Sequence, residues 1–466
     1  MQQRNLKSAL AIIITVFFFW GFVAASNGIF IPFCKKHFAL SQFQSQLIDA
    51  TFYGGYFIGS LLLLALSRLF KVEILNRIGY KRGIIYGLLI SIVGALSIIP
   101  SVNAGSFPLI LASFFVLALG FSLQQTCAQP FVIALGTPSG GAHRLSLAGG
   151  VNSLGTTLGP LAVGFILFGT LSGSGKASLE SINELYYLLA GVFLLVAVFL
   201  WRAKLPEINS SEPYEHGFGA LKYPQLVMGM VAIFTYVGVE VTIQSNMGAL
   251  LAEPSFGGWK EHEIAPFISL YWGSLMIGRW AGSLAVFSLS KQMKLVLSIL
   301  VPFIAFALIL GVNKLSGKPI DALYPYALCV GVLILNFLLS QEKPARTLLL
   351  FSFFGFAAMT IGLLSSGTVA MFAFLSGGLA CSIMWPCIFA LSIAGLGKYA
   401  AQGSAFLIMM ILGGAVIPPI QGLLADRIGI HQSYLITLLC FAYLAYFAYR
   451  AKTLSPGADE AASMSH

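Results

Sequence analysis

The chain has 466 residues, of which 58% are hydrophobic and 9% charged, and its mean hydropathy is +0.88. Soluble domains carry about 25% charged residues, so this composition excludes an ordinary globular protein and points to a polytopic helical membrane protein. The formal net charge of +10 therefore bears on membrane orientation and not on nucleic acid.

Apolar runs fall near 8–33, 46–69, 83–101, 107–135, 145–170 and 184–203, each long enough for the roughly 20 residues of a spanning helix. The first follows Arg4 and Lys7 and lacks a small-residue cleavage site, so it reads as a span and not as a signal peptide. The stretch 204–219, KLPEINSSEPYEHGFG, is the one long polar interval and reads as a cytoplasmic linker between an N-terminal half, 1–203, and a C-terminal half, 220–450. Beyond it come runs near 221–251, 265–289, 294–313, 322–341, 346–365, 367–396, 402–424 and 432–450, which brings the expectation to fourteen spans. The tail, 451–466, is polar, rich in small residues and expected to be disordered. With both termini cytoplasmic, seven of the 26 Lys and Arg residues fall outside and nineteen inside or near the inner face.

Internal repetition sharpens this reading. Pro130 precedes Ala134-Leu135, and Pro386 precedes Ala390-Leu391, each after a basic loop and a long apolar run. Two six-helix halves in parallel repeat predict an all-α major facilitator fold. The runs 294–313 and 322–341 have no counterpart in the first half, so they read as an inserted two-helix hairpin, about 292–344.

Several blocks resemble the fucose permease and glucose/galactose transporter family: FFFWGFVAASNGIFIP at 17–32, GGYFIGS at 54–60, RIGYKRGII at 77–85, QQTCAQPFVIALG at 124–136, RLSLAGGVNSLGTTLGP at 144–160 and YVGVEVTIQS at 236–245. SIMWPCIFALSIAGLG and GSAFLIMMILGGAVIPPIQG extend the likeness through the second half. The glucose/galactose branch is nearer, because Gln125 stands where fucose permeases typically carry Glu and YVGVEV resembles that branch's seventh-helix motif; Gly28 departs from the family's first-helix motif, in which an Asp commonly follows the Asn. The resemblance implies a secondary active transporter in a bacterial inner membrane, importing a hexose by alternating access with a proton or sodium gradient. A facilitative uniporter, an exporter of the same fold and a non-transporting sugar sensor are the alternatives.

Candidate site residues follow from polarity inside apolar sequence. Glu240 is an acidic side chain placed deep in a span, at an insertion cost of about 2.5–3.5 kcal/mol, so it faces a cavity, has a partner or is protonated. It is the candidate for sugar binding and for ion coupling. Gln244 shares its helix face at i+4, with Asn246 nearby. Gln125 and Gln129 also share a face, and each amide offers a donor and an acceptor to vicinal hydroxyls, whereas Gln124 points elsewhere and reads as a tie between helices. Asn152 falls where the resemblance places a sugar-contacting Asn. Asn27 reads equally as a ligand or coupling-ion contact and as an interhelical hydrogen bond. Trp20, Trp272 and Trp385 are candidate platforms for the C–H faces of a sugar, against a lipid-facing or packing alternative.

Arg77 and Arg279 read as inner-face or gating residues, and Arg279 needs a carboxylate partner that the sequence does not identify. Asp49 and Glu73 read as solvated helix ends. All six histidines fall in loops or termini, so a buried histidine relay is not expected. The six cysteines stand singly, which argues against disulfides and metal. No cofactor is expected beyond a coupling Na+ or H+. The partners expected are a small-molecule sugar and the bilayer, with no nucleic acid and a monomer as the default state. A lipid-linked sugar transferase, the membrane enzyme weighed against transport, needs clustered carboxylates and a metal, which a single deep Glu240 does not supply.

Overall fold

The computed structural model describes residues 2–39, 42–72, 74–137, 140–168, 178–206, 218–259, 261–287 and 289–454. Glu73, most of the 204–219 linker and residues 455–466 of the tail lie outside that set, as do the side chains of Asn27 and Asp49. Among the described residues the protein is all helix, without a strand. This follows from composition, since in hydrocarbon a backbone must satisfy its own N–H and C=O groups, and a helix does so within one segment.

The first half of the sequence forms α1 (Gln2–His37), α2 (Gln42–Leu69), α3 (Tyr80–Asn103), α4 (Phe107–Ala134), α5 (Gly141–Phe168) and α6 (Leu179–Arg202). The second forms α7 (Pro224–Ser245), α8 (Glu261–Ser283), α9 (Lys291–Leu315), α10 (Ala327–Ser340), α11 (Pro344–Leu364), α12 (Gly367–Cys381), α13 (Met384–Ile393), α14 (Ala400–Met409), α15 (Gly413–Ile428) and α16 (Leu435–Leu454). The apolar run 367–396 is thus broken between α12 and α13, and the run 402–424 carries a 3-10 turn, Met410–Leu412, between α14 and α15. Among the described residues, eleven segments are long and apolar enough to cross a membrane. α1, α5 and α8 are outside those eleven and are 36, 28 and 23 residues long.

The chain divides into two compact units. The first holds residues 1–136, 154–223 and 396–412; the second holds 137–153, 224–395 and 413–466. In the first, α4 packs along α3 and α2, and α3 packs on α6. In the second, α12 packs along α11 and α8, and α11 packs on α16. The internal plan of α2-α3-α4-α6 is repeated by α8-α11-α12-α16, which leaves α9 and α10 outside the repeat.

Those two helices turn apolar side chains outward, among them Ile304 and Leu328, at 56% and 78% exposure. Their inner faces are tied down by polar groups. The Tyr326 hydroxyl, on the 3-10 turn leading into α10, donates to the Leu375 carbonyl at 3.0 Å and lies 2.9 Å from Ser274 Oγ. Asn313 Nδ2 donates to Ser269 Oγ at 2.9 Å. Lys294 at the start of α9 pairs with Glu342, just beyond α10.

In the first unit, the end of the linker is also fixed. The Ala220 N–H donates to Gln402 Oε1 at 2.8 Å, and Lys81 Nζ donates to the Trp201 and Ala203 carbonyls at 3.1 and 2.8 Å, capping α6.

Candidate substrate and coupling site

The second unit holds the charged candidates Glu240 and Arg279. Glu240 lies four residues after Tyr236 on α7, so both project from one helix face, and the Tyr236 hydroxyl donates to Glu240 Oε1 at 2.7 Å. Arg279 on α8 brings Nη2 to 3.7 Å from the same oxygen, with side-chain exposures of 13% for Arg279 and 12% for Glu240. The carboxylate partner that Arg279 needs is therefore Glu240, 39 residues earlier in the chain.

Arg279 also donates to Ser153 Oγ, at 2.9 Å from Nη1, and to the Ser382 carbonyl, at 3.3 Å from Nε. The Tyr271 hydroxyl donates to the main-chain carbonyl of Glu240 at 2.6 Å. Two opposite charges about 4 Å apart attract by about 4 kcal/mol at an effective dielectric of 20, comparable with the insertion cost of one charged residue. Pairing thus makes the largely buried carboxylate tolerable.

The remaining candidates of this unit differ in burial and in partners. Gln244, one turn past Glu240, is half-buried. Asn246 donates Nδ2 to Oε1 of the fully buried Gln421, whose own Nε2 is buried without a partner among the described residues. Trp385 is half-buried, its ring 6.1 Å from Tyr236 and 6.0 Å from Phe389. Trp272 is half-buried edge-on to Tyr271 at 5.7 Å. Asn152 is half-buried and belongs to this unit, beside Ser153.

The first unit holds the uncharged amides. Gln124 is fully buried, accepts from Trp20 Nε1 at 2.8 Å and donates to Ser91 Oγ at 2.9 Å, and so ties α4 to α1 and α3. Trp20, 4% exposed, is a packed side chain whose N–H is already used. Gln125 points to the other side, half-buried, and donates Nε2 to the Tyr56 hydroxyl at 2.8 Å. Gln129 is buried at 5% exposure. Arg77 is exposed in the short helix Ile74–Ile78. Tyr56, Ser153, Ser382 and Gln421 are not marked by the sequence, because a tyrosine, serine or amide in an apolar run has no spacing that identifies it as a partner of a distant residue.

Among the described residues no cluster of three His, Cys, Asp or Glu side chains is positioned to hold a metal. Each set by itself offers hydrogen-bonding chemistry for a hydroxylated ligand, and the second unit adds one carboxylate paired with Arg279 and Tyr236.

Comparison with known proteins agrees with this architecture. Residues 11–340 match the Major Facilitator Superfamily. A glucose/galactose transporter of Brucella abortus is 34% identical over 450 residues, covering 96% of this chain and 94% of that protein. The L-fucose-proton symporter of Escherichia coli is 26% identical over 478 residues, covering 97% and 95%. Among solved structures, an E. coli fucose:proton symporter variant superposes with a TM-score of 0.74 at 24% identity, over 96% of this chain and 99% of that one. The chain belongs to the major facilitator superfamily, in the family that holds the glucose/galactose transporters.

Proposed function

We propose that the protein imports a hexose by alternating access and couples that movement to a proton through Glu240. The observation that carries the sugar assignment is the likeness to the Brucella abortus glucose/galactose transporter along nearly the whole chain. Gln125, Gln129, Asn152 and Gln244 read the sugar hydroxyls, with Asn246 and the Trp272 and Trp385 rings as further contacts. Glu240 is the coupling group because its carboxylate is buried and sits on an arginine that has two other partners to fall back on. Sodium held by Asn27 and neutral oxygens is the competing coupling chemistry. No resident cofactor is needed in either case.

The accompanying topology has fourteen spans, both termini cytoplasmic, halves at 1–203 and 220–450, and the α9–α10 hairpin inserted between the eighth and ninth core helices. Support comes from the helical lengths of α1, α5 and α8 beside the eleven apolar segments, and from the repeated packing plan that omits α9 and α10.

The test is uptake of glucose, galactose, mannose and fucose into right-side-out proteoliposomes with pH and sodium gradients imposed separately. Accumulation of a hexose under a proton gradient is expected. Uptake indifferent to both gradients removes the coupling, and absence of uptake of every hexose removes the sugar.

A further inference from the structure

His143, in the first turn of α5, is half-buried in the second unit and is not part of the Glu240–Arg279 constellation. Its Nδ1 lies 3.0 Å from the Gly282 carbonyl oxygen at the end of α8, and its Nε2 lies 3.1 Å from the Glu342 carbonyl oxygen in the turn from α10 to α11. A main-chain carbonyl only accepts. A neutral imidazole has one N–H and one bare nitrogen, so it satisfies one of these contacts and sets a lone pair against the other. Only the imidazolium donates to both.

The surroundings are built to respond to that proton. Gln341 and Glu342 both have left-handed backbone, with φ of 54° and 58°, an uncommon pair for residues other than glycine. The main-chain carbonyl of Glu342 meets His143 while its carboxylate pairs with Lys294. His143, Lys294 and Glu342 line one cavity, and among the described residues they are its only charged or histidine side chains. Ser146, one turn along α5, lines it too and has a buried hydroxyl without a partner among the described residues.

From α8 the cavity receives Ala281 and Gly282, from α13 Cys387, and from the residue before α13 Ile383, so neither helix adds a charge. Arg144 is turned to the Thr137 carbonyl at 2.7 Å, and Arg346 to Gln341 Oε1 at 2.7 Å. Burial opposes the cation and Lys294 repels it, while the two carbonyls and Glu342 favour it. Burial is the largest of these influences, so the imidazole holds its proton less readily than an ordinary histidine, and the two carbonyls and Glu342 limit that loss.

We propose that His143 is a proton-binding site of its own, at which protonation clamps the start of α5 to the end of α8 and to the far end of the α9–α10 hairpin. The hairpin then has a role beyond filling space, because Lys294 at its start and Glu342 at its end set the charge that the imidazole senses. Residues 137–153 are the piece of the first half of the sequence that belongs to the second unit, so the clamp acts on a segment whose attachment differs from that of its own helix.

The test is nitrogen NMR of the full-length protein in nanodiscs, labelled with 15N-histidine, from mildly acid to mildly alkaline pH. His143→Gln identifies the signal among the six histidines. If that variant does not fold, Glu342→Gln and Lys294→Met identify it as the resonance that moves in both. The expected result is a ring with both nitrogens protonated at acid pH that converts to a single neutral tautomer as the pH rises. Glu342→Gln moves the midpoint to lower pH and Lys294→Met moves it to higher pH. A ring that keeps one protonation state throughout, or a midpoint indifferent to both substitutions, overturns the proposal. Neither readout depends on which substrate is carried.

Discussion

Glu240 Oε1 is shared: it accepts from Tyr236 at 2.7 Å on its own helix and faces Arg279 Nη2 at 3.7 Å from α8. Protonating that carboxylate removes the charge Arg279 faces, yet Arg279 keeps Ser153 and the Ser382 carbonyl. The arrangement tolerates the neutral state of one partner better than the loss of the other. Two substitutions separate these effects.

Glu240→Gln keeps an acceptor for Tyr236 and Arg279 but removes the ionisable group. Sugar accumulation against a gradient is expected to fall to simple equilibration, while gradient-independent counterflow stays within about tenfold of wild type, the equivalent of about 1.4 kcal/mol. Paired uptake and counterflow assays check this. Preserved proton-driven accumulation would remove Glu240 from coupling.

Arg279→Met leaves the carboxylate buried without its cation, and breaking a buried pair from one side costs about 3–5 kcal/mol. A clear drop in melting temperature in detergent is expected. Adding Glu240→Gln to the same protein is expected to recover part of the loss, since the double variant buries no charge there, and additive losses would mean the two residues do not interact.

Much of this is legible in the sequence. A lone Glu in VGVEVTIQS announces itself because hydrocarbon penalises charge, and the 3.6-residue period by itself sets Gln124 and Gln125 on different helix faces. Gln124 does tie helices together, through Trp20 and Ser91. Partnership across the fold is not legible, because nothing in the sequence pairs residue 240 with 279, or Gln125 with Tyr56. The six histidines all fall in apparent loops by sequence, but His143 begins a helix and packs against the ends of two other elements. Helix ends are where local pattern carries least information about burial.

Tyr56 fixes the amide of Gln125 by accepting from Nε2. Tyr56→Phe frees that amide to rotate, and a single neutral hydrogen bond is worth about 0.5–1.5 kcal/mol. The sugar KM is expected to rise about twofold to tenfold with kcat held. An unchanged KM would take Gln125 out of substrate recognition or Tyr56 out of its positioning.

The hairpin is attached through Tyr326, which is fully buried with its hydroxyl against Leu375 and Ser274. Tyr326→Phe is expected to lower stability by about 1 kcal/mol. Ile304→Ala, on the outward face of α9, is expected to change it by less than about 0.5 kcal/mol. Thermal unfolding in detergent compares them, and equal effects would mean that the hairpin is not held by its inner face.

Two close approaches recur at matching places in the two units. In the first, a Cβ on Gly155 of α5 would strike the Phe18 carbonyl oxygen on α1; in the second, a Cβ on Gly413 at the start of α15 would strike the Phe234 carbonyl oxygen on α7. Both obstacles are helix backbone, which cannot swing aside as a side chain does, so the helices must separate. Gly155→Ala and Gly413→Ala are each expected to destabilise by about 1–3 kcal/mol. Gly191 on α6 has open space where its Cβ would go, and there alanine is expected to stabilise by up to about 1 kcal/mol through helix propensity alone. Melting temperatures of the three variants give the comparison. Destabilisation at Gly191 as large as at the other two would show that loss of glycine, and not loss of contact distance, sets the effect.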